Sequence, residues 1–108
     1  MFKYELIDEE ATTVISFEGD LDIDATELME EEIAPKLYDC SNIKIDFSKV
    51  QFVDSSGIGL LITLIHHLRE RGIRVRIFHV SDEVRIVFEM LQLPDIMGAD
   101  VLPEFEHS

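Results

Sequence analysis

The feature that most constrains the fold of this chain is a repeated change in the spacing of its apolar residues. Apolar side chains at every second position predict four strands, at residues 2–7, 12–17, 42–47 and 74–78. Apolar side chains three and four positions apart predict three helices, at residues 25–37, 57–71 and 81–91. With the first two strands joined as a hairpin, this order predicts an α/β fold in which helices cover one mixed sheet. The length of 108 residues suits a single domain over residues 1–108.

Several residues indicate where these elements end or bend. Gly19 is expected to end the second strand, and Pro35 to kink or shorten the first helix because it lacks a backbone donor. Ser81 is predicted to cap the third helix. Pro94 should prevent any further helix, and residues 99–105 could add a short strand.

The charge balance restricts the partners that the chain can have. Nine basic and 23 acidic residues give a net charge of −14, which repels nucleic-acid phosphates and anionic membrane surfaces. We therefore predict no direct contact with nucleic acid or membrane. All five arginines lie between Arg69 and Arg85, either as a local patch that faces a partner or as a balance for neighbouring acids.

The cell compartment is predicted from cysteine usage and from the absence of targeting patterns. Cys40 is the single cysteine, which fits a reducing compartment. The first residues lack the pattern of a signal peptide, and no apolar run approaches the roughly 20 residues of a membrane span. These observations predict a cytoplasmic location.

An extended apolar stretch ends and a predicted helix begins at Asp54-Ser55-Ser56-Gly57-Ile58-Gly59. Its first three residues all favour the N-cap position, yet a helix needs only one cap. Two glycines in a first turn cost stability, and we expect them to allow something else to approach closely. Leu60 and Leu64 widen the apolar arc of the helix and would suit the same partner. The stretch thus predicts a cap, a catalytic centre or a modification site.

Catalytic and metal-binding interpretations are weaker. If Ser55 or Ser56 were a nucleophile, a nucleophile elbow would need a glycine two residues before it, and that glycine is missing. No local signature identifies His79 as the general base. The adjacent His66 and His67 lie about 100° apart on a helix and cannot jointly grip one metal ion.

A calcium loop is a further alternative. Its template is matched in part by the carboxylates of Asp20, Asp22, Asp24 and Glu31. The sixth position is Ala25 where a sharp turn needs glycine, and Leu21 and Ile23 are expected to be buried. A solvated acidic loop that leads into a helix fits these residues better, and we predict no metal site.

The central motif, Asp54-Ser55-Ser56-Gly57-Ile58-Gly59, resembles the phosphorylation motif of bacterial anti-sigma factor antagonists, the small stand-alone STAS domains. Gly19-Asp20-Leu21-Asp22, followed by Ala25-Thr26, is similar to the loop before the first helix of that family, with Asp20 in place of the usual glutamate. Residues 80–93 are similar to its last major helix. The resemblance covers nearly the whole chain.

The resemblance implies a binding switch and not an enzyme. Family members in their unphosphorylated form bind an anti-sigma factor that is also a serine kinase, and this binding releases a sigma factor. Phosphorylation by that kinase then ends the binding, and a serine phosphatase removes the phosphate. The implied acceptor is Ser55, and no cofactor of the chain itself is expected. The expected partner-contacting residues are Asp22, Asp24, Asp54, Ser56, Gly57, Ile58, Gly59 and Leu60. Related modules also serve as non-catalytic subunits of stress-signalling and lipid-transport complexes, and these roles stay open.

Overall fold

One sheet organises the computed structural model, which describes residues 1–105. Its strands, in spatial order, are β1 (Lys3–Glu9), β2 (Thr12–Leu21), β3 (Asn42–Val53) and β4 (Arg74–Phe78). The first two form the predicted antiparallel hairpin, whereas β2, β3 and β4 run parallel to one another. The predicted α/β fold with a mixed sheet is therefore confirmed.

Strands β2 and β3 are longer than their apolar alternation predicted. Gly19 does not end β2 but lies within it, at a shift in the register between β2 and β3. Its φ of +96° is a left-handed conformation that side chains disfavour, and a Cβ at this position would overlap the carbonyl oxygen of Met1. Gly19 therefore bends the strand, and β2 continues to Leu21.

The first helical segment begins with a 3-10 turn at Ile23–Ala25, widens into a π-helix at Leu28–Ile33 and ends as α1 (Ala34–Leu37). Within it the N–H of Ala34 donates to the carbonyl of Met29, five residues back. Pro35 has no N–H to donate, and in an α-helix its ring would clash with the carbonyl four residues earlier. The wider turn before Pro35 lets the helical path continue, whereas the sequence predicted a kink or an early end.

Helix α2 (Ser55–Glu70) packs on the sheet with Ile58, Leu61, Ile65 and Leu68, whereas Ile62 is only half-buried. Leu64 is also buried, because the first helical segment covers a second side of α2. The wide apolar arc of α2 therefore follows from two internal contacts, and the expectation that Leu64 faces a partner is wrong.

Two more helices complete the fold. In α3 (Asp82–Met90) the N–H of Val84 donates to the hydroxyl of Ser81, which confirms the predicted cap. Helix α4 (Leu93–Met97) then contains Pro94 in its first turn, where a missing N–H costs nothing. The predicted strand over residues 99–105 is replaced by a 3-10 turn at Pro103–Phe105.

All the helices lie on one face of the sheet, where a chain of ring contacts marks the core. The aromatic residues that form it in succession are Phe2, Phe17, Phe47, Phe88 and Phe105. Their centroid distances of 5.1 to 5.7 Å are typical of packed aromatic pairs. Among the described residues, every helix is too short or too polar to traverse a lipid bilayer.

Candidate functional site

The candidate site lies where β2 and β3 end side by side. Leu21 is paired with Val53 in the parallel ladder, so that Asp22 and Asp54 each follow the end of neighbouring strands. The N–H of Asp54 donates to the carbonyl of Leu21 at 3.4 Å and ties the two strand ends together. The acidic loop of residues 20–24 therefore lies beside the serine motif.

Both aspartates at this edge begin a helical turn. One carboxylate oxygen of Asp54 accepts the N–H of Gly57 at 2.9 Å, and its carbonyl accepts the N–H of Ile58 at 2.9 Å. In the same way, the carboxylate of Asp22 accepts the N–H of Asp24 at 3.0 Å. Of the three cap-type residues that the sequence offered for α2, Asp54 is the cap.

The two glycines of the motif have different environments. Gly57 is buried, and a Cβ on it would overlap the backbone carbonyl of Leu21. Gly59 is exposed, with no other atom within 4 Å of the position that its Cβ would take. The predicted close approach at Gly57 is thus real but internal to the fold, which corrects the expectation that a partner makes it.

The serines of the motif are accessible. Ser55 and Ser56 are exposed in the first turn of α2, whose leading N–H groups have no acceptor within the helix and carry positive partial charge. Ile58 points into the core with 3% of its surface exposed, so its predicted contact with a partner is wrong in this structure. Leu60 is half-buried against the core, and Asp22 and Asp54 are also half-buried.

Two large apolar side chains at this edge were not predicted as site residues. Ile23, expected to be buried, exposes 62% of its surface, and Phe52 exposes 50%. Phe52 lies beside Asp20 in the ladder and just before the end of β3. Alternation in the sequence did not reveal this exposure, because Phe52 is two residues after the buried Val50 and a regular strand would bury both. Exposed apolar groups beside an accessible serine are typical of a protein-contact surface.

Acidic residues surround a concavity of about 730 Å³ at the same end of the sheet. The lining side chains include Asp20, Asp22, Asp24, Glu27 and Glu31. The carboxylates do not follow the arrangement of a calcium loop, because Asp20 lies in β2, Asp22 is a cap and Glu31 lies in the π-helix. The arrangement instead gives the site a negative field that favours basic groups.

None of the histidines in the described residues is within reach of the serines. The imidazole of His79 contacts the carboxylate of Asp46 at 3.2 Å, and Asp46 lies far back along β3, about 20 Å from its end at 3.3 Å per residue. His66 and His67 lie about 11 residues into α2, roughly 16 Å from its start. A serine nucleophile activated by histidine therefore has no geometric basis in residues 1–105.

The Asp46–His79 contact is nevertheless a defined electrostatic feature. Partial burial would raise the pKa of Asp46, but hydrogen bonds from the backbone N–H and side chain of Ser48, together with His79, outweigh it and lower the pKa. His79 itself has a left-handed backbone, with a φ of +62°, and its N–H donates to the carboxylate of Glu104. This contact lies away from the serine motif and anchors the end of β4.

Solved structures are similar to this chain over most of its length. The unphosphorylated form of the anti-sigma factor antagonist SpoIIAA is 28% identical, with 83% of each chain covered and a TM-score of 0.62. The phosphorylated form of SpoIIAA, described as a Bacillus cell-fate determinant, is 26% identical, with 94% of this chain and 88% of that chain covered and a TM-score of 0.66.

The sequence relatives agree with the structural ones. An anti-sigma-B factor antagonist of Staphylococcus aureus is 29% identical over 89 residues, which are 82% of each chain. The family model of the STAS domain matches residues 3–107. The chain therefore belongs to the STAS domain family.

Proposed function

We propose that this chain is an anti-sigma factor antagonist that binds an anti-sigma factor with serine kinase activity. Binding by the unphosphorylated form releases a sigma factor, and phosphorylation of Ser55 ends the binding. In this role residues 1–108 form one STAS domain that acts as a ligand and a kinase substrate in the cytoplasm, and a serine phosphatase restores the active form. The observation that carries the proposal is the exposed Ser55 directly after the capping Asp54, in a chain of this family.

The position of Ser55 suits a modification that leaves the fold intact. Its side chain is exposed, and Asp54 rather than Ser55 caps α2, so a phosphate would replace no structural contact of the hydroxyl. The positive end of α2 offsets part of the roughly −1.5 to −2 charges that a phosphate adds. The modified domain should therefore stay folded.

Around Ser55 the structure offers a contact surface of mixed character. Ile23 and Phe52 supply apolar area, Ser56 and Gly59 are exposed on α2, and the acidic residues of the concavity favour a basic partner surface. When the partner excludes water from this surface and its basic groups are matched to the acidic residues already present, an added dianion beside Asp22 and Asp54 would have neither solvent nor a free counter-charge. Burying such a charge without a partner costs several kcal/mol, enough to end binding.

The proposal is tested with the anti-sigma factor of the same organism, ATP and Mg²⁺. Peptide mass spectrometry should place phosphate on Ser55, and Ser55→Ala should abolish it while the matched variant Ser56→Ala keeps it. In a transcription assay inhibited by the anti-sigma factor, the unphosphorylated chain should restore sigma-dependent transcription. Phosphate on Ser56 or Thr26 alone would contradict the site. Binding to the anti-sigma factor without any recovery of transcription would instead favour a subunit role in another assembly.

A further inference from the structure

The face of the sheet that points away from the helices has no covering element in residues 1–105. The buried strand residues, such as Ile15, Ile45 and Ile77, all point to the helical side. Three of the four strands are parallel, and parallel sheets in proteins are normally covered on both faces. The open face is therefore a surface that a further molecule could cover.

The charges on this face are divided between its two halves. Lys44, Arg74 and Arg76 lie on β3 and β4, where they form the basic half. Glu5 and Glu9 lie on β1, at the other edge, and form the acidic half, in which Lys3 lies opposite Glu18 of β2. The strand pairing fixes this arrangement. Glu9 of β1 pairs with Thr12 of β2, and Asn42 of β3 pairs with Arg74 of β4. Two of the five arginines that cluster in the sequence thus contribute to one surface.

The basic half has unsatisfied bonding capacity. Lys44 and Arg76 lie over the ring of Phe78, at 5.4 and 5.5 Å, and neither is paired with a carboxylate within residues 1–105. The nearby carboxylate of Asp46 is already bound to Ser48 and His79.

We propose that two copies of this chain associate through their open sheet faces, about a twofold axis parallel to the strands. Such an axis lays β4 of each copy over β1 of its partner. Arg74 of one copy then faces Glu9 of the other, and Arg76 lies opposite Ile7, between Glu9 and Glu5, twice in the dimer. A twofold axis perpendicular to the strands would place β1 on β1, acid against acid, so the charge pattern selects the first arrangement.

The size of this face sets the strength of the association. Four strands at about 4.8 Å spacing give a contact at the low end of protein interfaces, and the expected dimer is weak. Ile7, 43% exposed, and the half-buried Val14 add apolar area between the charged residues. Helix α2 stays on the outside of the dimer, so Ser55 remains accessible and the association does not depend on the proposed function.

Sedimentation equilibrium with reversed charges tests this arrangement. The native chain should approach the mass of a dimer as its concentration rises toward about 1 mM. Arg74→Glu/Arg76→Glu and Glu5→Lys/Glu9→Lys should each weaken self-association about tenfold or more, because like charges then face each other. An equimolar mixture of these two variants should associate at least as tightly as the native chain, since the charged strands that face each other again have opposite signs.

The controls separate face-to-face contact from net charge and from misfolding. Glu30→Lys/Glu31→Lys alters net charge as much as the β1 variant does, but on the helical side, and should dimerise no more weakly than the native chain. Circular dichroism checks that each variant folds, and the β1 variant replaces only exposed side chains. A native chain that stays monomeric would overturn the proposal. A β1 variant that dimerises like the native chain, or a folded mixture that stays monomeric, would do so as well.

Discussion

The carbonyl oxygen of Leu21 occupies the space in which a side chain on residue 57 would stand, and only glycine at that position allows it. The same carbonyl accepts the N–H of Asp54, so one backbone group joins the end of β2 to the start of α2. The strand ends are thereby held at the distance that brings the acidic loop beside the serine motif. Gly57 is therefore a structural requirement of the site and not an opening for a partner.

Gly57→Ala should destabilise the domain by about 2 kcal/mol or more, because the new methyl group meets rigid backbone. The matched control is Gly59→Ala, in the same helix but with open space around its Cβ position. There the gain in helix propensity should stabilise the domain by about 0.5–1 kcal/mol. Urea unfolding of both variants measures the difference. A Gly57→Ala variant that is as stable as the native chain would contradict this role of Gly57.

Much of the fold could be predicted from the sequence because its cause is local. The period of the apolar residues placed all four strands and the buried stripes of the first helical segment, α2 and α3, and Ser81 was a cap as predicted. These features depend on residue spacing or on a short motif, and both can be read from the sequence alone.

The features that could not be predicted depend on contacts between distant segments. The role of Gly57 needs the position of the Leu21 carbonyl, and the continuation of β2 through Gly19 needs the carbonyl of Met1. Burial of Leu64 needs the covering helical segment. The exposure of Ile23 follows from the tight turn after β2, which the acidic pattern alone did not reveal.

Asp54 has a structural role that can be separated from its charge. Asp54→Ala removes the acceptor for the N–H of Gly57 and should cost about 1 kcal/mol of stability. Asp54→Asn keeps an oxygen acceptor and should retain nearly all of that stability, although the charge is lost. If Asp54 also contacts the partner electrostatically, Asp54→Asn should weaken binding to the anti-sigma factor in calorimetry. Native-like binding by Asp54→Asn would limit Asp54 to its cap role.

Replacement of Ser55 tests whether charge alone operates the proposed switch. Ser55→Asp should weaken binding to the anti-sigma factor about tenfold or more, because the basic groups of the partner are already matched to the acidic residues and leave a desolvated carboxylate without a counter-charge of its own. Ser55→Ala should bind like the native chain while it resists phosphorylation. Both variants should melt close to the native temperature, since the side chain is exposed and is not the cap. Equal affinities for the two variants would argue against an electrostatic mechanism.

The exposed apolar side chains beside the motif should contribute more to binding than to folding. Ile23→Ala and Phe52→Ala remove side chains of which half or more is already exposed to solvent, so stability should change by only about 1 kcal/mol. Each should weaken binding to the anti-sigma factor, by about tenfold if the side chain is fully buried in the complex. Ile96→Ala is the control, since Ile96 is 58% exposed but lies near the other end of α2. If Ile96→Ala weakens binding as much as the two site variants do, the loss of binding is not specific to the surface beside the motif.

The Asp46–His79 contact should make part of the stability dependent on pH. Hydrogen bonds lower the pKa of Asp46 in the fold below its ordinary value of 3.8, so the folded state favours the carboxylate more than the unfolded state does. The resulting stabilisation is complete above that ordinary value and is lost as the pH falls through the lowered pKa.

Asp46→Asn should therefore be less stable than the native chain near neutral pH, and the gap should close as the pH falls below about 3.8. Urea unfolding of both proteins across the acid range measures this gap. Asp39→Asn, which replaces an exposed carboxylate at the opposite end of the parallel strands from His79, serves as the control. A stability gap for Asp46→Asn that is the same at every pH would show that the side chain acts through neutral contacts, and the ionic role of Asp46 would then be refuted.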